Sequence, residues 1–194
     1  AKVFVCPNIV KPIFEQKSSG QRDENLMILV GTISLRKNPA TAIKAFAKIS
    51  DIYPDSKLVI TGAKGDAYSN IMRLIPSLGL SDRIEIIHGL NDRQLADLYK
   101  KATLLISPSQ YEGFGIPIIE AMASGLPVVA STIQVFEEVG GDAIEFFGNP
   151  TDVDALALKM ESLLGDSNKR LQMSEAGFAE AVKYSASNVI GSYH

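Results

Sequence analysis

Short runs of apolar residues recur along this chain, and they limit the folds that it can form. A run of three to five such residues bounded by polar or turn-forming residues is typical of a strand buried on both faces of a parallel sheet. Five runs have this character and a sixth is predicted near the end of the series: Leu26–Val30, 58–60, Ile84–Ile87, 104–106, Val128–Ala130 and 143–147.

Segments with helical periodicity separate these runs. The first has Asn38 as a candidate cap and Pro54 as its stop, and Pro76 is expected to break or distort the second. The predicted helices cover 39–53, 68–78, a segment that begins at Asn91-Asp92, 152–164 and 169–183. The alternation of strand and helix predicts an α/β fold with a Rossmann-like, doubly wound parallel sheet of about six strands.

Length and composition predict a single domain over 1–194 and exclude several classes of partner. With 46% hydrophobic residues the chain can bury a sizeable core. A net charge of −3 without a basic patch argues against nucleic acid as a partner. No apolar run approaches the length of a membrane span, and no leader opens the chain. We expect a cytoplasmic domain, with peripheral association at a membrane surface left open.

Metal-ligating residues are scarce. Cys6 is the single cysteine, and His88 and His194 are the only histidines. No third carboxylate clusters with Glu112 and Glu120, so no metal site and no cofactor are expected.

The segment 111–131 combines turn-forming residues with a short apolar helix pattern. Gly113 and Gly115 permit backbone geometries that a Cβ would oppose, Pro117 suits the first helical position, and Gly125 suits the position after the helix. This pattern predicts a helix over 117–124. Its N-terminus would direct unpaired N–H groups to one point, where a phosphate would fit.

Two carboxylates frame that point. Glu112 opens the loop, and Glu120 lies within the helix among apolar neighbours. A shielded carboxylate needs a partner, and a ligand hydroxyl is one such partner. The alternative is that Glu112 is a solvated loop acid and that Glu120 caps or salt-bridges within the fold.

The loop after the first predicted strand carries two adjacent cations, Arg36 and Lys37. Ligands of a doubly wound sheet bind beyond the carboxyl ends of its strands, so these cations can reach a diphosphate there. The alternative is a pair of surface cations near a helix N-terminus, which is an unfavourable place for them. Before the first strand, the polar segment 16–25 reads as a loop without regular structure.

Eighteen consecutive residues, 112–129, resemble the E-x7-E signature of retaining, nucleotide-sugar-dependent glycosyltransferases with the GT-B fold, in particular glycosyltransferase family 4. The resemblance implies that this chain is the C-terminal, donor-binding half of a GT-B fold. Residues 1–15 would then be a first strand and linker from a missing N-terminal acceptor domain, and 151–194 would be C-terminal helices. Thr32 departs from the family, which often has Arg after the glycine.

The resemblance also implies roles for individual residues. Glu112 would bind hydroxyls of the donor sugar, Lys37 and Arg36 would neutralise the departing diphosphate, and Glu120 would bind the ribose. Backbone groups would contact the sugar, the phosphates and the nucleobase; the residues that would supply this part of the site are Gly31, Gly113, Phe114, Gly115, Ile116, His88, Gly89 and Leu90. The His88 side chain itself is predicted to be packed and not catalytic, since it has no acid partner.

The implied activity is transfer of a hexose from a GDP-, UDP- or ADP-linked sugar to an acceptor. Mannosyl transfer in glycan or polysaccharide synthesis is one expectation, and the isolated domain is expected to be inactive. Two alternatives stay open: another GT-B enzyme, such as an epimerase or a phosphorylase, or a non-catalytic nucleotide-binding module.

Overall fold

The computed structural model describes residues 8–17 and 20–191. Residues 1–7 of the expected first strand and linker, which include Cys6, lie outside this range, and so does His194.

Six parallel strands form one sheet in the order β3-β2-β1-β4-β5-β6. This order reverses direction between β1 and β4, as expected for a doubly wound sheet. The strands are β1 (Leu26–Val30), β2 (Lys57–Thr61), β3 (Ile84–Ile87), β4 (Leu104–Ser107), β5 (Val128–Ala130) and β6 (Glu145–Phe146).

Helices follow the strands along the chain. The α-helices are α1 (Pro39–Ile49), α2 (Tyr68–Ser77), α3 (Asp92–Lys101), α4 (Ile116–Ala123), α5 (Gln134–Gly140), α6 (Val153–Gly165), α7 (Ser167–Ala181) and α8 (Ala186–Gly191). Short 3-10 helices lie at Pro12–Phe14, Gly141–Ala143 and Val182–Tyr184.

Each face of the sheet is covered by its own hydrophobic cluster. Met27 and Leu29 of β1 point to the cluster that includes residues of α1, α2 and α6. Ile28, between them, points to the opposite cluster, which includes residues of α3, α4 and α5. Because both faces are buried, the strands carry apolar residues at successive positions and not at alternate ones.

The ends of α1 and α2 differ from the predictions. The first helix ends at Ile49, because the chain then turns through 50–56, where the Arg83 side chain bonds the carbonyls of Tyr53 and Ser56. Asn38 does not cap α1 with its side chain; it has a left-handed φ of 51°, and its Nδ2 donates to the carbonyl of Pro150. Helix α2 is not broken at Pro76, which lies in its last turn.

The region after β5 also differs from the prediction. Only Glu145–Phe146 pair as β6, because residues 141–143 form a 3-10 turn. The preceding helix α5 was not predicted. Phe136 and Val139 are both buried, and their spacing of three residues was the available signal for a helix.

The polar segment before β1 is anchored by Arg22. Its Nη1 donates to the carbonyls of Tyr99, Lys100 and Ala102 at 2.7–3.1 Å, and its Nη2 donates to the carbonyl of Ser124 at 2.8 Å. These are carbonyls at the C-terminal ends of α3 and α4, which lack helical partners. One side chain therefore ties the ends of both helices together, and burial lowers its pKa to about 10.

Replacement of this guanidinium should destabilise the domain. We expect Arg22→Met to lower the free energy of unfolding by about 3 kcal/mol, because hydrogen bonds from a charged donor to partly buried carbonyls are lost. Urea denaturation measures the change, with Arg93→Met, an exposed cation of α3, as the matched control. Equal stability of the two variants would contradict this assignment.

Candidate functional site

A crevice forms where the strand order reverses. β1 and β4 are adjacent and parallel, and α1 and α4, which follow them, lie on opposite faces of the sheet. The loops that leave the carboxyl ends of these strands therefore separate, and ligands of doubly wound sheets bind between such loops. Here the loops are 31–38 and 108–115.

A buried ion pair joins the two loops. Lys37 Nζ lies 2.6 Å from Glu112 Oε1, and each side chain is only 8% exposed. The guanidinium of Arg36 donates to Glu112 Oε2. Ser109 Oγ donates to Oε1 at 2.9 Å. Lys37 and Arg36, the predicted diphosphate-binding cations, thus both form ion pairs with Glu112, the predicted sugar-binding acid.

The charge state of Glu112 follows from these partners. Burial by itself would raise the pKa of the carboxyl, but Lys37, Arg36 and Ser109 outweigh burial and hold the pKa of Glu112 below its usual value. Glu112 is therefore ionised at neutral pH. It is not the solvated loop acid of the alternative interpretation.

Gly31 makes room for the lysine. Its φ is 128°, and a Cβ built there would lie 2.7 Å from Lys37 Cε and 3.1 Å from Nζ. The Lys37 side chain therefore packs directly over the end of β1. Gly31 was predicted to be part of the substrate site, and in the structure its lack of a Cβ allows Lys37 to occupy this position.

Main-chain contacts also hold the two loops together. The Gln110 N–H donates to the Arg36 carbonyl at 2.8 Å, and Arg36 Nη1 donates to the Tyr111 carbonyl at 3.1 Å. The Arg36 guanidinium lies 5.7 Å from the centre of the Tyr111 ring. Arg36 is accordingly held by residues of the loop 108–115, although a third of its side chain is exposed.

The loop that leads into α4 presents backbone donors. Gly115 has a φ of 84° and precedes the first helical residue, Ile116, one position earlier than predicted. No hydrogen bond within the described residues uses the N–H groups of Phe114, Gly115 or Ile116. Gly113 differs from the prediction: its φ is not positive, and an added Cβ would meet nothing within 4 Å.

Phe114 is partly buried and packs edge-on against Tyr184, with ring centroids 5.9 Å apart. This contact fixes the loop from the side of the 3-10 helix Val182–Tyr184. The Phe114 side chain therefore anchors the loop, and a contact from its backbone to a ligand stays a prediction.

Glu120 lies one turn into α4 and has a different environment. Its Oε2 accepts a hydrogen bond from the Tyr99 hydroxyl at 3.0 Å. Burial is the largest influence and raises the pKa of Glu120 to about 7, against the lowering effects of Tyr99, Lys11 and Lys37. The Glu120 carboxylate is shielded as predicted, and the Tyr99 hydroxyl is one of its hydrogen-bond partners.

The residues 88–90 lie at the carboxyl end of β3, on the same edge of the sheet. His88 is exposed and not packed as predicted, because β3 is an edge strand. Its Nδ1 lies 2.6 Å from the Gly62 carbonyl oxygen, and its ring centroid lies 5.4 Å from that of Tyr68. Gly89 is exposed and Leu90 is half-buried beside it.

Two residues of the site were missed in the sequence. They are Tyr99, in the predicted helix that begins at Asn91-Asp92, and Ser109, in the loop after the fourth predicted strand. The position of Ser109 directly beyond a buried strand was the available signal, whereas the contact of Tyr99 with Glu120 crosses between two helices and leaves no local pattern.

Within residues 8–17 and 20–191, no three His, Cys, Asp or Glu side chains are grouped closely enough to hold a metal ion. Over the same residues, no helix combines the length and the apolar character needed to cross a membrane.

Residues 10–180 match the family described as Glycosyl transferases group 1. The chain belongs to this family. It is 39% identical over 140 residues to the O-antigen chain mannosyltransferase RfbU of Salmonella typhimurium, covering 71% of this chain and 38% of that protein. It is 32% identical over 162 residues to O-antigen chain mannosyltransferase B of Escherichia coli, covering 83% and 42% respectively. The chain therefore spans about two fifths of the length of these relatives.

Solved glycosyltransferase structures share the fold. The C-terminal domain of the group 1 protein LpcC from Francisella tularensis matches with a TM-score of 0.81 at 21% identity, over 92% of this chain and all of that one. HepE of Anabaena, solved with UDP and glucose, matches with a TM-score of 0.75 at 22% identity, over 86% of this chain and 45% of that one. The predicted fold class, a six-stranded parallel α/β sheet forming half of a GT-B fold, is confirmed.

Removal of the lysine charge should make stability depend on pH in a defined direction. The folded-state pKa of Glu112 is depressed, so the stabilisation by Lys37 is present above the unfolded pKa of about 4.3 and is lost as the pH falls through the folded value. We expect Lys37→Met to cost about 2 kcal/mol at pH 7 and progressively less below about pH 4.

Urea denaturation from pH 3 to 7 measures this difference. Lys44→Met, at an exposed position of α1, is the matched control and should show no such trend. A cost for Lys37→Met that stays constant with pH would argue against a charge-based role.

Proposed function

We propose that this chain is the donor-binding domain of a retaining glycosyltransferase of family 4, which moves a hexose from a nucleotide-diphosphate sugar to an acceptor. The observation that carries the proposal is the cluster of Lys37, Arg36 and Glu112 at the reversal point of the sheet. It lies next to the N–H groups of 114–116, which have no partner within the described residues. Cations and backbone donors around one crevice suit a diphosphate.

Donor binding would exchange the partners of this cluster. Glu112 pairs with both cations in the free chain, and its one negative charge offsets one of their two positive charges. A diphosphate carries more negative charge than one carboxylate and can contact both cations and the N–H groups of 114–116 at once. The diphosphate would then take over the cations, and the Glu112 carboxylate would become available to hydroxyls of the sugar.

Glu120 would bind the ribose hydroxyls, as in the resembled family. Together with Asn8, Ile9, Val10, Phe114, Ile116 and Ile119, it lines a narrow cleft beside the loop that leads into α4. Backbone groups at 88–90, which lie on the same edge of the sheet, would face the nucleobase.

The chemistry assigned to these residues is electrostatic. Lys37, Arg36 and the N–H groups would stabilise the charge on the departing diphosphate, a contribution of about 3 kcal/mol for each well-placed donor. In a retaining reaction the acceptor attacks the face that the leaving group vacates, so the diphosphate itself would accept the acceptor's proton. No residue is assigned as a covalent nucleophile.

Mannose is the sugar that we propose, since two relatives more than 30% identical to this chain are named mannosyltransferases. Because the chain spans about two fifths of each, the acceptor site and full activity are assigned to a further domain. The isolated chain should accordingly bind a donor and not transfer its sugar.

Nucleotide binding tests the proposal directly. Thermal shift and calorimetry with GDP, UDP and ADP, and with their hexose derivatives, should show one preferred base. Lys37→Ala should weaken binding at least tenfold because it removes a buried cation from the diphosphate site. Lys44→Ala, at an exposed position of α1, is the matched control. A folded chain that binds none of these ligands at millimolar concentration would refute the proposal.

Glu112→Gln should affect the affinity for the diphosphate and the affinity contributed by the sugar in different ways. The neutral amide no longer competes for the cations, so the free nucleoside diphosphate should bind as tightly as to the unaltered chain or several-fold more tightly. The additional affinity contributed by the sugar should fall, since the carboxylate that would accept its hydroxyls is gone. Equal losses of affinity for the diphosphate and for its sugar derivative would contradict the partner exchange.

A further inference from the structure

Within the described residues, the Tyr99 hydroxyl of α3 donates a hydrogen bond to Glu120 of α4. We infer that Tyr99 is a positioning residue for ribose recognition, which holds the Glu120 carboxylate in place and keeps it an acceptor. This inference rests on the proposed donor site, because it names a residue that acts through Glu120.

Tyr99 is built into the core as a fixed support. It is 0% exposed, and the ring of Phe14 packs against it edge-on with centroids 5.8 Å apart at 82°. Its carbonyl accepts a hydrogen bond from Arg22 at 2.7 Å. Ring, main chain and hydroxyl are thus all held, so the phenol cannot follow Glu120 if the carboxylate turns away.

The contact takes up one oxygen of the carboxylate. Oε2 accepts from Tyr99 at 3.0 Å, whereas no side chain in the described part of the chain donates to Oε1. The Glu120 side chain lines the cleft beside Phe114 and Ile116. A carboxylate fixed through one oxygen presents the other in a constant direction, and this preorganisation favours recognition of a hydroxyl.

Several charged groups face Glu120 and determine its ionisation. Asp92 of α3 raises its pKa, whereas Lys11, from the segment before α3, and Lys37, from the loop after β1, lower it. Tyr99 is the largest influence that opposes burial. Loss of the hydroxyl should therefore raise the pKa of Glu120 above about 7, so that the acid is protonated at neutral pH.

The ionised form matters because it accepts hydrogen bonds only, whereas the protonated acid also acts as a donor. Hydrogen bonds to a charged acceptor are also the stronger ones. Discrimination between ribose and a sugar without hydroxyls should consequently follow the titration of Glu120. Tyr99 would set the pH at which this discrimination appears.

The test compares Tyr99→Phe with the unaltered chain, using GDP and UDP and their 2′,3′-dideoxy analogues as probes. The unaltered chain should prefer the ribonucleotide by about tenfold at pH 8 and lose this preference as the pH falls below about 7. In Tyr99→Phe the preference should be lost at pH 7 and return only at higher pH. Binding of the dideoxy analogue should be the same in both proteins.

Two further variants make the test specific. Glu120→Gln should abolish the pH dependence of the preference, and Tyr99→Phe should add nothing in that background, because it acts through the carboxylate. Tyr53→Phe removes a hydroxyl that bonds the Glu161 carbonyl at 3.2 Å and should behave like the unaltered chain.

A readout without nucleotide completes the test. The pKa of Glu120, measured by NMR on the free chain, should rise in Tyr99→Phe. An unchanged pKa together with an unchanged ribose preference would overturn the role of Tyr99 and leave the donor site standing. Failure of the unaltered chain to bind either ribonucleotide would overturn the proposed function, and this inference with it.

Discussion

The buried ion pair between Lys37 and Glu112 is the interaction on which the site depends. It bridges the loops after β1 and β4, which leave the sheet toward opposite faces. A buried ion pair stabilises a fold only when its remaining donors and acceptors are satisfied, and Ser109 and Arg36 satisfy those of Glu112. Lys37, Arg36 and Glu112 pair with one another across the crevice in the free chain, and these are the groups that a diphosphate sugar would need.

Glu112 and Glu120 have opposite environments although they are eight residues apart. Glu112 has two cations and a hydroxyl around it, and its pKa is lowered. Glu120 accepts a hydrogen bond from the Tyr99 phenol, and burial raises its pKa to about 7. A carboxylate that is ionised at neutral pH suits exchange with another anion, whereas recognition of neutral hydroxyls by one that titrates near neutrality would depend on its support by Tyr99.

The sequence predicted the fold well, because continuous apolar runs have few interpretations in a chain that also contains amphipathic helices. It also placed Lys37, Arg36 and Glu112 on one edge of the sheet. It could not predict that they pair with one another, since this depends on side-chain directions across two loops. The exposed His88 and the contact from Tyr99 to Glu120 were missed for a similar reason: edge position and helix-to-helix distance are properties of the assembled sheet and not of a local pattern.

The exchange of partners at Lys37 can be observed in a crystal structure of the chain with a bound nucleoside diphosphate. We expect the diphosphate to lie within hydrogen-bond distance of Lys37 Nζ, the Arg36 guanidinium and the N–H groups of 114–116, with Glu112 no longer paired to the cations. A diphosphate bound elsewhere, with the ion pair between Lys37 and Glu112 intact, would contradict this exchange of partners.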